Sequence, residues 1–396
     1  MEPEAAMIHA VTPALRLQPT PDERARQTFV SQLRAHLLDP LAATMKARFQ
    51  AEVAPSLPAG AGPREVHEAM RGHPVFRLYS AARVTAQDMV WAAVRPMVER
   101  GQVELARRFH ELATRRPAGG TLRLDSDLRL PDNVTAVDVH RMPGNYHLDR
   151  GADDLAAGAL YENGLAVFAA GLMGETLDDI GRSVTCWLKR RHPEFAPAVV
   201  LDLGCAVGHQ TLPWKLAYPE ARVMGLDVAA AGLRYAHARA EAIGVELHFL
   251  QADARRVPLP DGSVDLVFSA MFLHELPVAD VRAVFAEAFR LLRPGGLMLH
   301  YELPPNRLLD AYDGFYLDWD NDYNSEPFYR AYRDLDPLAE TQAAGFAAPF
   351  EASIPSLGWH GEAAVAEAAR AQGAEASDRL GRLSQGIHWY VFGGWR

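Results

Sequence analysis

The sequence predicts an α/β fold in which a mainly parallel sheet carries helices on both faces and follows a mainly helical N-terminal domain. After Pro197, short apolar runs alternate with amphipathic segments, as they do where helices connect the parallel strands of one sheet. Before that point, apolar residues recur mostly at helical spacing. The length of 396 residues allows two or three structural units, at roughly 100 to 200 residues per domain.

Composition and charge exclude several function classes. The net charge of −10 offers a nucleic-acid backbone no basic footprint, and the two cysteines, Cys186 and Cys205, are too few for a disulfide framework or a Cys-rich zinc site. The first ten residues contain no Lys or Arg, which argues against a secretory signal. The most apolar stretch, Leu155–Met173, is interrupted by polar residues and glycines and is a poor membrane span. We therefore predict a cytoplasmic protein without nucleic-acid or membrane partners.

The N-terminal half divides at proline- and glycine-rich segments. Residues 1–20 contain three prolines and are predicted to be a disordered tail. Residues 21–150 are predicted to form the helical domain, which dimerises or covers the site of the domain that follows. The segment 121–140 is mixed and could contain short strands. Helical spacing is found in the ranges 29–54, 64–70, 86–114, 153–170 and 175–189.

The second half, residues 151–396, is predicted to be the sheet domain, with insertions at 305–335 and 356–385. Apolar positions from Val281 to Leu292 indicate an amphipathic helix, and Gly244 is predicted to cap the helix 229–243. Strands are predicted at 199–203, 222–226, 246–250, 264–268, 297–301, 346–354 and 388–392.

A glycine loop, Asp202-Leu203-Gly204-Cys205-Ala206-Val207-Gly208, follows the first strand of the sheet domain and opens a helix. As a dinucleotide-binding G-x-G-x-x-G motif it fails, because Ala206 and His209 occupy the second and third glycine positions. Asp202 would also repel a pyrophosphate. A cationic cofactor with an ammonium group suits this loop better.

This loop resembles the first motif of the class I S-adenosylmethionine-dependent methyltransferases, [D/E]-x-G-x-G-x-G, except at Ala206. That departure adds a methyl group that could be tolerated or could weaken cofactor binding. Four later segments also fit the family's pattern in order. Residues 225–227 end the second strand, 251–254 follow the third, 265–269 are the fourth, and 291–296 form the turn into the fifth. The resemblance implies a Rossmann-like, seven-stranded methyltransferase sheet and S-adenosyl-L-methionine as the cofactor.

The resemblance also implies cofactor-binding positions. Asp227 would accept hydrogen bonds from the ribose hydroxyls, and Asp253 would accept a hydrogen bond from the adenine amino group. The predicted cofactor-binding residues are Asp202, Gly204, Cys205, Ala206, Gly208, Asp227, Val228, Asp253, Ala254 and Ser269.

His274, just after the fourth strand of that pattern, is the candidate catalytic and acceptor-binding residue. It resembles the general base in the Leu-His-Asp-Trp segment of small-molecule O-methyltransferases, since a hydroxyl acceptor must lose its proton. The alternative is that His274 only caps or pads the next helix. Glu275 would orient it only if its side chain turned inward, because adjacent helical residues do not face one another.

Further acceptor-binding candidates follow the core motifs. His300 and Glu302 share one face of their strand, so one or both could line the acceptor pocket. A metal site of these two residues with His274 is conceivable, but no helical H-x-x-x-H spacing supports it, and we predict no metal.

The stretch 310–332 is rich in aromatic and acidic residues, which favours either a pocket for a cationic or aromatic acceptor or a subunit interface. Its pocket candidates are Tyr316, Trp319 and Tyr323. Tyr146, His147 and Tyr161 are weaker candidates for a lid over the cofactor.

We therefore predict an enzyme that transfers a methyl group from S-adenosylmethionine to a small molecule, with a hydroxyl of a specialised metabolite as the expected acceptor and a homodimer as a possible assembly. The alternatives are methylation of nitrogen or carbon on an amine or aromatic metabolite, and a methyltransferase-like binding protein without activity. A nucleotide-dependent oxidoreductase is disfavoured by the failed dinucleotide motif.

Overall fold

A computed structural model of the chain describes residues 12–115, 117–374, 379–382 and 386–396. Most of the predicted disordered tail, and parts of the predicted insertion 356–385, lie outside these residues. The centre of the structure is an eight-stranded sheet in the order β1-β4-β3-β2-β5-β6-β8-β7. The strands are β1 (Thr121–Arg123), β2 (Val199–Leu203), β3 (Arg222–Asp227), β4 (His248–Gln251), β5 (Val264–Ala270), β6 (Leu292–Glu302), β7 (Ala347–Pro355) and β8 (His388–Trp395).

The sheet confirms the predicted α/β fold. Strands β1 to β6 pair in parallel, and β8 is antiparallel to both of its neighbours, β6 and β7. The prediction of seven strands was one short, because Thr121–Arg123 of the N-terminal region adds an edge strand beside β4. Three residues with no apolar alternation carry too little pattern for a sequence to identify such a strand.

Helices cover both faces of the sheet. The predicted amphipathic helix buries Val281, Val284, Phe285 and Ala288, and Gly244 ends its helix with φ +81°, as predicted. The helices of this half are α6 (Ala156–Ala169), α7 (Asp179–Arg191), α8 (Leu212–Ala217), α9 (Ala230–Ile243), α10 (Val278–Leu291), α11 (Ala311–Tyr323), α12 (Tyr329–Arg333), α13 (Pro337–Ala343) and α14 (Leu357–Ala368).

The N-terminal region is built around one long helix, α4 (Pro74–Arg115). It packs against α1 (Pro21–His36), α6 and α9. It extends further toward the N-terminus than the sequence predicted, because Pro74 begins the helix and the residues up to Ala86 continue it. Short π-helical segments, 37–41 and 49–53, interrupt the helical run after α1. The helices are α1 (Pro21–His36), α2 (Ala42–Arg48), α3 (Pro63–Met70), α4 (Pro74–Arg115) and α5 (Asp132–Thr135). Among the described residues, no helix is both long and apolar enough to cross a bilayer.

The aromatic and acidic stretch forms α11 and α12, and its rings pack against α3 and α4 in an apolar cluster. Its carboxylates are paired within the chain: Asp318 contacts Arg333, and Asp320 lies 2.8 Å from Arg83. The stretch is therefore an interface between two parts of one chain.

Helix α6 lies close against α9 because Gly158 has no side chain. A Cβ atom at Gly158 would lie 2.4 Å from Cβ of Tyr235 and 3.4 Å from Cα of Gly232. Glu162, one turn further along α6, is buried and accepts hydrogen bonds from the Tyr235 hydroxyl and from Nε of Arg239. The contact between α6 and α9 therefore combines a close approach of the two helices at Gly158 with a buried hydrogen-bond network around Glu162.

We expect Gly158→Ala to lower the free energy of unfolding by about 1–3 kcal/mol, because the added methyl group forces α6 and α9 apart. Urea unfolding measures this loss. Gly72→Ala is the matched control, because a Cβ there meets no atom within 4 Å. Equal stabilities of the two variants would contradict the close approach.

Candidate active site

A cavity lies at the carboxyl ends of β2 to β5, and segments between β1 and β2 close it on one side. This is where parallel α/β sheets bind ligands. Predicted cofactor residues on its wall are Gly204, Ala206, Asp227, Val228, Asp253 and Ala254. Predicted acceptor residues on its wall are Tyr146, Tyr161 and His274. The structure thus brings nine of the predicted residues to one cavity.

The glycine loop follows β2 in left-handed backbone conformations. Gly204 has φ +67° and Gly208 has φ +76°. Ala206, the departure from the motif, has φ +48°, a conformation that costs a residue with a Cβ atom roughly 1–2 kcal/mol. Its amide donates to a carboxylate oxygen of Asp227 at 2.9 Å, which holds this turn in place.

Asp227 ends β3 and anchors the loop. One oxygen accepts the Ala206 amide, and the other accepts the amide of Ala229 at 2.9 Å. Burial raises its pKa, and these amides partly oppose the shift. Because a carboxylate has about four lone-pair sites, both oxygens can accept further donors from a ligand.

Asp253 lines the cavity with both carboxylate oxygens bonded to Arg255, which also reaches Asp280 at 3.0 Å. Burial would raise the pKa of Asp253, but the guanidinium outweighs it and the pKa is lowered. An adenine amino group would therefore share this carboxylate with Arg255. Arg255 is not among the site residues predicted from the sequence. The only indication of its role there was its position two residues after Asp253.

Four predicted cofactor residues are buried and are not part of the cavity wall: Asp202 in β2, Cys205 and Gly208 in the glycine loop, and Ser269 in β5. The sequence analysis expected Asp202 beside a ligand ammonium group. In the structure its carboxyl accepts the Thr211 hydroxyl at 2.6 Å. Burial raises the pKa of Asp202 to about 7, with the Thr211 hydrogen bond opposing the shift.

His274 follows β5 in a short 3₁₀ turn and is fully buried. Its Nδ1 donates to Glu302 at 2.8 Å, so Glu302 orients the ring, whereas Glu275 accepts the Tyr146 hydroxyl at 3.0 Å. Nε2 has no hydrogen-bond partner among the described residues and lies 3.6 Å from Oε2 of Glu326. Burial would lower the pKa of His274, but the carboxylates of Glu302 and Glu326 raise it to about 9.

His300 and Glu302 share a face of β6, as predicted, but neither forms the cavity wall. His300 is buried, bonds Ser269 through Nδ1 at 2.7 Å and stacks on Phe285. Burial lowers the pKa of His300 to about 3. Its distance from the cavity removes it from the acceptor and metal sets considered above. Glu302 lies behind the cavity wall and orients the His274 ring by a hydrogen bond.

Two further residues meet His274 that the sequence analysis did not assign to the site. His140, from the turn after α5, lies on the cavity wall, and its Nδ1 is 3.0 Å from Oε1 of Glu326. Its Nε2 is 3.5 Å from Glu275. The carboxylates raise the pKa of His140 well above its usual range, although burial opposes them. The segment 121–140 had no readable pattern, so the sequence carried no signal for His140.

The predicted pocket residues Tyr316, Trp319 and Tyr323 lie outside the cavity, in the apolar cluster between α11 and the N-terminal helices. Trp319 donates from Nε1 to Ser80 at 2.9 Å, and the Arg83 guanidinium lies 3.9 Å from its ring centre. Aromatic composition does not show which way a ring points, and here packing turned these rings inward.

The chain is similar to known methyltransferases over part of its length. Residues 200–296 match the model of a methyltransferase domain family. The chain is 40% identical over 112 residues to demethylmenaquinone methyltransferase of Thermus thermophilus, covering 28% of this chain and 50% of that one. It is 32% identical over 164 residues to malonyl-[acyl-carrier protein] O-methyltransferase of Hahella chejuensis, covering 41% and 50%. The chain thus spans about half the length of these curated relatives.

Among solved structures, geranyl diphosphate C-methyltransferase from Streptomyces coelicolor A3(2) is similar with a TM-score of 0.36 and 15% identity. The similarity covers 54% of this chain and 79% of that one.

Asp202 predicts a pH-dependent stability. Between about pH 4 and 7 the folded state retains a proton that the unfolded state has released, so this group makes stability fall as pH rises through that window. Asp202→Asn removes the effect and keeps an acceptor for Thr211. We expect the stability of this variant relative to wild type to increase from pH 5 to pH 8 in urea unfolding. Asp127→Asn, on the surface, is the control, and a pH-independent difference for Asp202→Asn would contradict the prediction.

Proposed function

We propose that the protein, whose residues 200–296 match a methyltransferase domain family, transfers the methyl group of S-adenosylmethionine to an oxygen of a small-molecule acceptor. One observation carries the choice of acceptor. His274 lies on the wall of the same cavity as the glycine loop, with its ring oriented by Glu302 and its Nε2 unpartnered. A hydroxyl that is to receive a methyl group must lose its proton. Nε2 is placed to accept it in the neutral form of the ring, which the raised pKa of about 9 makes the minor form at pH 7.

The cofactor would occupy the cavity along the ends of β2 to β4. The loop 204–208 would approach the methionine part, Asp227 would accept the ribose hydroxyls, and Asp253 would face the adenine. The positive φ angles at Gly204 and Gly208 support this arrangement, because a backbone without a side chain at these turns lets a ligand approach closely.

The acceptor would lie between the sulfonium and His274, under the N-terminal segments that close the cavity. Tyr146 and Tyr161 contribute apolar faces there, with ring centroids 5.8 Å apart. Transfer is an in-line displacement, so positioning the acceptor and excluding water are the main tasks of this wall. The O-methyltransferase among the curated relatives supports oxygen as the methylated atom. The cover by the N-terminal segments favours a small molecule.

Asp227→Ala tests the cofactor site. We expect affinity for S-adenosylmethionine to fall roughly tenfold to a hundredfold, because hydrogen bonds to a charged group contribute about 1.5–3 kcal/mol. Isothermal titration calorimetry with S-adenosylmethionine and S-adenosylhomocysteine measures this loss. Asp261→Ala, at an exposed position, should bind as wild type does. If wild type itself binds neither compound and transfers no methyl group, the proposed function is wrong.

His274→Ala tests the acceptor site. We expect cofactor affinity to stay within about twofold of wild type, while methyl transfer to a hydroxyl acceptor falls by roughly 10²–10⁴. Transfer of a radiolabelled methyl group to a panel of phenols and alcohols measures this, with the exposed His110→Ala as control. Wild-type turnover in His274→Ala would show that His274 is structural or that nitrogen or carbon is methylated.

A further inference from the structure

We propose that His140, His274 and Glu326 bind a divalent transition-metal ion on the acceptor side of the cavity. One ligand atom from each of the three residues lies within 4.8 Å of the other two. The argument for binding of the ion does not depend on the proposed function. Its role in activating the acceptor rests on the function proposed above.

The spacing of the three groups suits a metal after a small contraction. Oε1 of Glu326 lies 3.0 Å from Nδ1 of His140, and Oε2 lies 3.6 Å from Nε2 of His274. Metal–ligand bonds of about 2.0–2.2 Å place neighbouring ligand atoms about 3–3.5 Å apart. Side-chain rotations that move the ligand atoms by about an ångström would therefore complete the site.

Two of the ligand atoms lack hydrogen-bond partners although they are buried. Nε2 of His274 and Oε2 of Glu326 belong to side chains that are 0% and 3% exposed, and neither atom makes a hydrogen bond in the described part of the chain. An unsatisfied buried polar atom costs about 1–3 kcal/mol. Two such atoms facing each other across a gap are explained by a ligand that binds both.

Both histidines have a carboxylate at the ring nitrogen that would not face the ion. Glu302 accepts Nδ1–H of His274 at 2.8 Å. Asn324 adjoins the ligand atoms themselves, 3.0 Å from Oε1 of Glu326 and 3.3 Å from Nδ1 of His140. Glu275 lies 3.5 Å from Nε2 of His140. Metal-binding histidines almost always donate their other N–H to a carboxylate or carbonyl, which fixes the tautomer and the ring orientation.

The backbone at His140 is held in an unfavourable conformation. Its φ is +54° and ψ is +17°, a left-handed conformation that costs a residue with a Cβ atom roughly 1–3 kcal/mol. Helix α4 imposes it: Gln87 and Trp91 donate to the His140 carbonyl at 2.9 and 2.8 Å, and Asp88 binds Arg141. This strain turns the imidazole toward His274, and such strain is concentrated at functional sites.

The charges favour a cation. The carboxylates of Glu275, Glu302 and Glu326 converge on the two imidazoles, and the nearby Asp320 is neutralised by Arg83. In the metal-free site the protonated imidazoles offset this negative charge. A divalent ion would take their place as the positive charge, because ligating imidazoles must be neutral and release their protons on binding. Two imidazoles with one carboxylate favour zinc, iron, cobalt or manganese over calcium or magnesium, which prefer oxygen ligands.

Bound there, the ion would place the acceptor. The acceptor oxygen would occupy an open coordination position and lose its proton to solvent, because a divalent ion lowers the pKa of a bound hydroxyl. The oxygen lone pair then forms the new bond to the methyl carbon. The carbon–sulfur bond breaks with its electrons on sulfur, leaving a neutral thioether.

The first test measures metal binding without activity. Purified protein is stripped with a chelator, dialysed and titrated with Co²⁺, whose visible absorption reports nitrogen and oxygen ligation, and with Zn²⁺ followed by elemental analysis. We expect one ion per chain in wild type, and at least tenfold weaker binding in His140→Ala and Glu326→Gln. His110→Ala and Glu362→Gln, both exposed, are the matched controls and should bind as wild type does.

Binding that is absent in wild type, or equally strong in His140→Ala and Glu326→Gln, would overturn the proposal. Circular dichroism and thermal unfolding show whether each variant folds. Glu326→Gln keeps the shape of the side chain, and the wild-type titration remains decisive if both variants unfold.

Activity separates this inference from the proposed function. Loss of methyl transfer on chelation, restored by Co²⁺ or Zn²⁺ in wild type, supports the role of the ion. Full transfer by metal-free protein would overturn that role and leave Nε2 of His274 as the direct proton acceptor, with the proposed function intact. Metal binding without S-adenosylmethionine binding would instead refute the proposed function and leave the metal site standing.

Discussion

The buried carboxylate of Glu302 is the interaction on which the acceptor side of the cavity depends. At the end of β6 it accepts the backbone amides of Phe272 and Leu273 with one oxygen and Nδ1–H of His274 with the other. It therefore determines both the path of the chain after β5 and the orientation of the imidazole. Charge-assisted hydrogen bonds of this kind are strong in a buried site, and removing one partner would leave a buried charge without compensation.

The region before the sheet completes the site that the sheet begins. Helix α4 holds the turn that carries His140, and the contact of α11 with α3 and α4 sets where the chain continues to Glu326. Both residues reach His274 from outside the matched segment 200–296. The surroundings of His274 therefore depend on residues outside the segment that matches the methyltransferase domain family.

Much of the fold and half of the site could be predicted from sequence, and the division follows physical lines. The strands, the helix with its buried stripe and the cofactor loop depend on local pattern, and the structure placed Gly204, Asp227 and Asp253 together as expected. The errors concern residues whose neighbours are distant in the chain. Trp319 was expected in a pocket and packs in a core, whereas Glu326, seven residues later, reaches the cavity region.

The sequence by itself determined the class of sheet, the loop that would hold a sulfonium cofactor and the candidacy of His274, because each depends on residues close together in the chain. The tertiary structure decided which carboxylate orients that histidine, that Ala206 adopts a glycine-like conformation against Asp227, and that His140 and Glu326 meet His274. These meetings depend on how separated helices and strands pack. Packing and burial, unlike periodicity, are properties of the whole chain.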